Sequence, residues 1–207
     1  SSDLLDDGVA PDAVAGDSIF TVAIPASASA PGEMLRWSLT ALDANWNGTR
    51  EPPFIDPERD PEYFGTIVED PSIATSLRTY HWYVQNTAAA NSTAGTRASL
   101  WFEGRFYDNI RCNARGGSSQ TYPKKSYKFD FNPGQRLRYD DGPRHDELDL
   151  NTTWADKAFV RQPLSYELYQ LAGVASSDAF PVRVHRNGEF FSVAIFIEEP
   201  GEEAFLE

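Results

Sequence analysis

Residues 115–128 read Arg-Gly-Gly-Ser-Ser-Gln-Thr-Tyr-Pro-Lys-Lys-Ser-Tyr-Lys and join two stretches of alternating sequence. Residues 108–115 alternate between apolar and polar side chains, and residues 126–132 do so again. A period of two residues is typical of a strand that buries one face. The sequence therefore predicts two strands joined by a loop, and we call Arg115–Ser119 the glycine-serine loop.

The glycine-serine loop has the composition of an anion site. Gly116 and Gly117 permit close backbone approach, and exposed N–H groups and serine hydroxyls donate to phosphate oxygens. Lys124, Lys125 and Lys128 follow shortly after it. The same composition also fits a flexible hairpin tip with solvated lysines, so both interpretations stay open.

The next elements are a helix and a hairpin. Apolar residues recur at helical spacing between Ala155 and Ala172, where Pro163 predicts a kink or the true start of the helix. Residues 181–186 and 189–198 alternate as strands across Asn187-Gly188, a pair favoured in hairpin turns. The predicted order is strand, loop, strand, helix and hairpin.

This order is compatible with that of protein kinases, which place a Gly-rich loop, a strand lysine and a helix glutamate around ATP. Lys128 lies in the middle of its predicted strand, and Glu167 lies on the predicted helix. An exposed helix carboxylate is an equally good interpretation of Glu167. Lys124 and Lys125 precede the strand, and we expect them to be loop or surface charges.

The first half of the chain has a different pattern. Ser18–Ala26 and Met34–Leu42 alternate like strands around a turn at Pro31-Gly32 and resemble the closing strands of an immunoglobulin-like or fibronectin-like β-sandwich. Prolines are frequent in the connector that follows. The sequence predicts an incomplete β-sandwich at 1–50, a Pro-rich linker at 51–79 and a further domain at 80–207.

Composition restricts the classes of partner. The formal charge of −13 and the pI of about 4.6 argue against nucleic acid and anionic membranes, which require a basic protein surface. No stretch is long and apolar enough for a membrane span. The single cysteine, Cys112, excludes an intrachain disulfide and a cysteine-based zinc site.

No metal site is predicted. His81, His145 and His185 lack metal-ligand spacing. A cluster of acidic residues lacks the regular oxygen-ligand spacing of a calcium loop and is better explained as a solvated loop. Its members are Asp140, Asp141, Asp146, Glu147 and Asp149.

Five ordered motifs lie between residues 98 and 207. They are Arg115-Gly-Gly-Ser-Ser with Pro123-Lys-Lys-Ser-Tyr-Lys-Phe129, Leu148-Asp-Leu-Asn-Thr-Thr-Trp154, Val160-Arg-Gln-Pro-Leu-Ser-Tyr-Glu-Leu168, Gly173-Val174, and Asn187-Gly-Glu-Phe-Phe191 with Ile197-Glu-Glu199. Together they resemble the CotH kinase family, which comprises spore coat protein H and its relatives. The resemblance covers about half of the chain.

The resemblance implies an atypical protein-kinase-like domain that uses ATP and a divalent metal, Mg²⁺, to phosphorylate Ser or Thr of a protein substrate. It implies a nucleotide site, with residues 197–199 as the hinge that faces the adenine. The implied nucleotide-binding residues are Arg115, Gly116, Gly117, Ser118, Ser119, Lys128, Glu167, Ile197, Glu198 and Glu199. The acidic pair that a kinase requires is expected beyond Glu207, so we expect this fragment to be inactive by itself.

The predicted fold class is α+β: a kinase-like amino-terminal lobe with antiparallel strands and one main helix, preceded by strands of an incomplete β-sandwich. Residues 202–207 look like the start of another helix. The family implies a bacterial, extracytoplasmic, multi-domain protein at the cell envelope or spore surface. The alternative function is a non-catalytic structural or adhesion module of an exported protein.

Overall fold

The computed structural model describes residues 2–140, 142 and 144–199, so the helix predicted at 202–207 lies outside the described residues. The chain divides into two compact units, one ending at Ala30 and the other beginning at Pro31. The domain boundaries predicted from the sequence stay a prediction.

The first unit consists mainly of turns. Its backbone forms a bridge between Leu5 and Thr21, and the Asp6 carboxylate accepts hydrogen bonds from the N–H groups of Gly16 and Ser18. The strand predicted at 18–26 is therefore wrong, because this stretch pairs only at Thr21 and then forms a short 3-10 turn. The alternation of apolar and polar residues at 18–26 therefore did not mean that this stretch pairs within a sheet or buries one face.

The second unit is built around a closed barrel of seven strands. Four short strands precede the barrel and form two separate two-stranded sheets, β1 with β4 and β2 with β3. These strands are β1 (Met34–Trp37), β2 (Leu39–Leu42), β3 (Gly48–Glu51) and β4 (Phe64–Ile67). The barrel strands are β5 (Arg78–Tyr83), β6 (Thr96–Phe102), β7 (Arg105–Arg115), β8 (Ser126–Asp130), β9 (Glu147–Asn151), β10 (Ala179–Arg186) and β11 (Glu189–Ile197).

The order around the barrel is β10-β11-β9-β8-β7-β6-β5. Every neighbouring pair is antiparallel except β5 and β10, which run parallel and close the barrel, with His81 opposite His185. The hairpin turn between β10 and β11 supports this closure, because the side-chain amide of Asn187 accepts from Val84 N at 2.8 Å and donates to Val84 O at 3.0 Å.

The predicted alternation of β7 and β8 is confirmed. Ile110, Cys112 and Ala114 of β7 are buried, as are Tyr127 and Phe129 of β8. Aromatic side chains from several strands fill the barrel interior, where β-strands leave room for large rings. They include Tyr80, Trp82, Phe102, Tyr127, Phe129 and Phe196.

The predicted fold class is wrong. Among the described residues the chain is mostly β, with a closed seven-stranded barrel and two short α-helices, α1 (Thr87–Ala90) and α2 (Arg161–Leu171). It is neither a kinase-like α+β lobe nor the edge of a β-sandwich. The prediction failed for two reasons. The sequence predicted no strand at the residues of β9. The pairing of β5 with β10 joins strands about a hundred residues apart in the chain, and local patterns do not reveal such a pairing.

Helix α2 is the predicted main helix. Pro163 is its third residue, which confirms that proline marks the start, since N–H groups of a first turn have no helical acceptor. Gly173, at φ +73°, ends it, where Gly173 N and Val174 N donate to Gln170 O and Tyr169 O. Neither described helix has the length and apolar character needed to cross a membrane.

Replacing Asn187 by glycine tests the closure of the barrel. Glycine keeps the positive φ of +54° found at this position but removes both amide hydrogen bonds to Val84, so we expect a loss of about 1–2 kcal/mol in the free energy of unfolding. Urea denaturation measures it. Asn47→Gly, the same change in the Asn-Gly turn between β2 and β3, is the matched control and should cost less. Equal losses would contradict the role of Asn187 in closure.

A pair of buried histidines makes stability dependent on pH. His81 and His185 lie side by side on β5 and β10 with ring centres 5.3 Å apart, and Arg183 Nε donates to His185 Nε2 at 2.8 Å. Burial, followed by the charge of Arg183, lowers the pKa of His185. Burial and the neighbouring His185 lower the pKa of His81 from 6.5 to about 4.

Because the folded-state pKa of His81 is depressed, the unfolded chain takes up the proton more readily. The folded state is therefore fully favoured above the ordinary pKa of 6.5 and loses stability as the pH falls toward about 4. We expect about 2 kcal/mol to be lost through His81 between pH 7.5 and 5. Urea denaturation at both pH values should show a smaller loss for His81→Phe than for the natural sequence. An identical loss would show that His81 does not titrate as described.

Candidate functional site

The glycine-serine loop connects β7 to β8 through a 3-10 turn at Ser118–Thr121. Gly116 has φ +101°, and a side chain there would collide with the Ser119 hydroxyl. Only glycine fits this position without strain. Gly116, Gly117 and Ser118 are exposed, whereas Ser119 is half-buried.

Arg115 stands at the end of β7 and forms an ion pair with the buried carboxylate of Asp149 on β9. A buried carboxylate is strongly destabilising unless a cation and hydrogen bonds compensate it. Arg115 therefore neutralises Asp149 in this structure, and its predicted contact with nucleotide stays a prediction.

Lys128 lies on the outer face of β8, where carboxylates already surround it. Its Nζ lies 2.7 Å from Glu147 and 3.4 Å from Asp130. Burial by itself lowers the pKa of Lys128, but the hydrogen bond to Glu147 and the charge of Asp130 outweigh burial and raise it. The positive charge of Lys128 is thus largely compensated within the protein.

The other predicted residues lie apart from Lys128. Glu167 is exposed on α2. Ile197 and Glu198 are buried at the end of β11, where the Glu198 carboxylate accepts from Asp178 N and lies 3.7 Å from His145 Nδ1. Glu199 is half-buried. The structure does not bring Glu167 to Lys128, and the nucleotide-binding roles of all these residues stay predictions.

Lys124 occupies a more enclosed position than its place before β8 suggested. Its Nζ donates to Val193 O at 2.6 Å and lies 4.6 Å from the centre of the Phe159 ring. Burial, followed by repulsion from Lys157, lowers the pKa of Lys124. Among the described residues no carboxylate forms an ion pair with it, so its charge remains available to an anion.

A cavity of about 360 Å³ lies between the glycine-serine loop and the start of α2, and we call it the loop cavity. Hydroxyl groups, two cations and one carboxylate line it together with a tryptophan ring. Its lining residues are Ser119, Tyr122, Lys124, Ser126, Asn151, Thr152, Thr153, Trp154, Ala155, Asp156, Arg161 and Gln162.

The loop cavity is shaped by the segment that precedes α2. Thr153 and Phe159 have φ angles of +46° and +57°, and such values are outliers for β-branched or bulky residues. The single carboxylate of the cavity, Asp156, accepts from the N–H groups of Ala158 and Arg161. Asp156 therefore caps the start of α2 while its neighbours face the cavity.

A second group of side chains has the spacing of a metal site. Asp6, Asp12 and Asp17, in the unit that ends at Ala30, each offer one carboxylate oxygen within 4.8 Å of the other two. Hydrogen bonds from backbone N–H groups already hold Asp6 and Asp12. We assign this cluster no function.

Comparison with known families reaches the same part of the chain as the motifs. Residues 112–207, somewhat under half of the chain, match the family model described as CotH kinase protein. This part of the chain is similar to the CotH kinase family. The resemblance recognised in the sequence is confirmed, and the match relates the chain to kinases at the level of a family. Comparison with curated proteins finds no significant match.

The CotH match begins in β7 and includes every residue that lines the loop cavity. It is loosely consistent with a surface location, since the family is associated with spore coat proteins. Of the residues that line the loop cavity, the sequence predicted nucleotide binding by Ser119, a loop or surface charge at Lys124, and no role for Arg161. Lys124 and Arg161 both lie inside the quoted motifs.

The amine of Lys124 should have a lower pKa than that of Lys128. We expect acetylation by acetic anhydride, followed peptide by peptide with mass spectrometry, to give Lys124 a lower apparent pKa than Lys128. Lys157→Met removes a repelling charge and should raise the apparent pKa of Lys124 while leaving Lys128 unchanged. If Lys124 and Lys128 titrate together, the electrostatic description of the cavity is wrong.

Proposed function

We propose that this chain is the ATP-binding part of a CotH-like atypical protein kinase, and that the loop cavity holds the phosphates. In the complete enzyme the γ-phosphoryl group passes to Ser or Thr of a protein substrate. The observation that carries the proposal is the uncompensated charge of Lys124 beside the glycine-serine loop, inside the region that matches the CotH family.

The charge balance of the cavity supports phosphate binding. The chain carries a net charge of −13, yet Lys124 and Arg161 line the loop cavity with a single carboxylate, Asp156. Lys157 lies close enough to lower the pKa of Lys124. A bound polyphosphate relieves this repulsion, because it places negative charge between cations that otherwise repel.

The residues present fit a triphosphate better than they fit its metal. Hydroxyls of Ser119, Ser126 and Thr152 and the charge of Lys124 are suited to phosphate oxygens. Asp156 is already engaged by backbone N–H groups and Arg161. We therefore derive no step through Mg²⁺ and retain the expectation that metal-binding carboxylates lie beyond Glu207.

Each part of the cavity has its own task in binding. The glycine-serine loop approaches the phosphates with its backbone, as Gly116 permits, and Lys124 neutralises them. The loop cavity opens between structural elements held by the barrel, so its donors keep their positions before the nucleotide arrives. ATP supplies the transferable phosphoryl group, and protein residues orient it.

Calorimetric titration of the 207-residue chain with ATP tests the proposal. We expect binding, and we expect Lys124→Met to weaken it by about tenfold or more, because a charge-assisted hydrogen bond is worth about 1.5–3 kcal/mol. Arg105→Met is the matched control: Arg105 is an exposed cation at the opposite end of β7, so its removal should leave the affinity nearly unchanged.

Lys128→Met tests whether Lys124 or Lys128 binds the phosphates of ATP. Retained affinity would assign the phosphates to Lys124, whereas a loss equal to that of Lys124→Met would support the role that the sequence predicted for Lys128. Absence of ATP binding by the natural sequence would contradict nucleotide binding by this chain. It would favour the alternative, a non-catalytic structural or adhesion module of an exported bacterial protein.

A further inference from the structure

A larger cavity, of about 560 Å³, lies at the end of the barrel where β8 and β11 begin and β10 ends. We call it the barrel-mouth cavity. Its volume is within the range of small-molecule sites, which often occupy the mouths of barrels. The rings of Tyr127, Phe159, Phe190 and Phe191 form much of its wall, so a flat apolar group can be buried there.

The charged groups of the barrel-mouth cavity all have one sign. Lys124, Lys125 and Arg186 line it, and no aspartate or glutamate does so among the described residues. Lys124 Nζ donates to Val193 O, and Lys125 Nζ donates to Gln120 O at 2.5 Å. Carbonyl oxygens accept hydrogen bonds but carry no net charge, and none of these three cations forms an ion pair with a carboxylate in the part of the chain that the structure describes.

Aromatic rings contact the guanidinium group of Arg186. Its guanidinium lies 4.0 Å from the ring centre of Phe191 and 5.4 Å from that of Trp82. It makes a long hydrogen bond, 3.5 Å, to Asn91 Oδ1 and also interacts with the Tyr127 hydroxyl. Stacking fixes the plane of the guanidinium and leaves its edge available. A fixed guanidinium edge is suited to bidentate binding of a carboxylate or phosphate.

Ser192 provides an independent observation. Ser192 is one of the residues that line the same cavity and is only 6% exposed. Its hydroxyl is buried and has no hydrogen-bond partner in the described part of the chain. Burying a hydroxyl without a partner costs about 1–3 kcal/mol. A ligand oxygen in the cavity would supply the missing partner.

We propose that the barrel-mouth cavity is a second binding site, for a small ligand in which a carboxylate or phosphate is attached to a flat apolar ring. Arg186 and Lys125 bind the anionic group, the phenylalanine rings enclose the apolar ring, and Ser192 hydrogen-bonds a ligand oxygen. Lys124 lines both cavities, but every other lining residue belongs to one cavity alone. The second site is therefore distinct from the proposed phosphate site.

Phenyl phosphate is a suitable probe, with inorganic phosphate and benzyl alcohol as probes that keep only one half of its chemistry. Ligand-observed NMR on the 207-residue chain should show that phenyl phosphate binds more tightly than either. We expect Arg186→Gln to weaken binding at least about fivefold through loss of a charge-assisted contact. Arg105→Gln, an equivalent change on the exposed surface, should leave it unchanged.

Lys125→Gln is a second variant that tests the site without disturbing the core. Arg186 also packs on Trp82, whereas in the described part of the chain the ammonium group of Lys125 hydrogen-bonds only to the loop carbonyl of Gln120. A loss of affinity in Lys125→Gln with unchanged far-UV circular dichroism supports the site. Equal binding by the natural sequence, Arg186→Gln and Lys125→Gln would overturn it.

Saturating ATP distinguishes this inference from the proposed function. Simultaneous binding of ATP and phenyl phosphate supports two sites. Competitive displacement would assign the barrel-mouth cavity to the nucleotide and overturn the second site, while leaving ATP binding intact. If phenyl phosphate binds and ATP does not, the second site stands and the proposed nucleotide function fails.

Discussion

Pairing between β5 and β10 is the constraint on which the rest of the second unit depends. These strands run parallel, and their pairing turns a row of antiparallel strands into a closed barrel without free edges. Closure gives Trp82 and Tyr80 a fully buried environment. It also sets His81 beside His185 and places Arg186 over Trp82. Aromatic packing, the buried histidines and the barrel-mouth cavity are thus consequences of one long-range contact.

Charge distribution on the barrel follows from which cations find carboxylates. On the outer face, Arg115 pairs with Asp149, and Lys128 pairs with Glu147 and Asp130. Such pairing largely cancels the positive charge of Arg115 and Lys128. Among the described residues, neither Lys124, which precedes β8, nor Arg186, at the end of β10, forms an ion pair with a carboxylate. In a strongly acidic chain, the cations without carboxylates are the ones suited to an anionic ligand.

The loop cavity joins three local structures that are individually ordinary. A glycine at φ +101° turns the loop, Asp156 caps the start of α2, and β8 and β9 pair so that Ser126 and Thr152 come together. None of these is a binding site by itself. Their combination places a tight turn, a helix start and a partly buried lysine around one cavity, within the residues that match the CotH family model.

The sequence by itself determined the resemblance to the CotH kinase family, the alternation of β7 and β8, the hairpin at Asn187-Gly188 and the end of α2 at Gly173. For the start of α2 it left two alternatives at Pro163, a kink or the true start. These features depend on neighbouring residues: period-two burial, positive φ at Asn187 and Gly188, and the missing N–H of Pro163. Only the tertiary structure decided that the sheet closes into a barrel, that β9 is a strand, and that Lys128 forms ion pairs whereas Lys124 forms none among the described residues. Those outcomes depend on contacts between residues far apart in the chain, such as β5 with β10, and local patterns carry no information about such contacts.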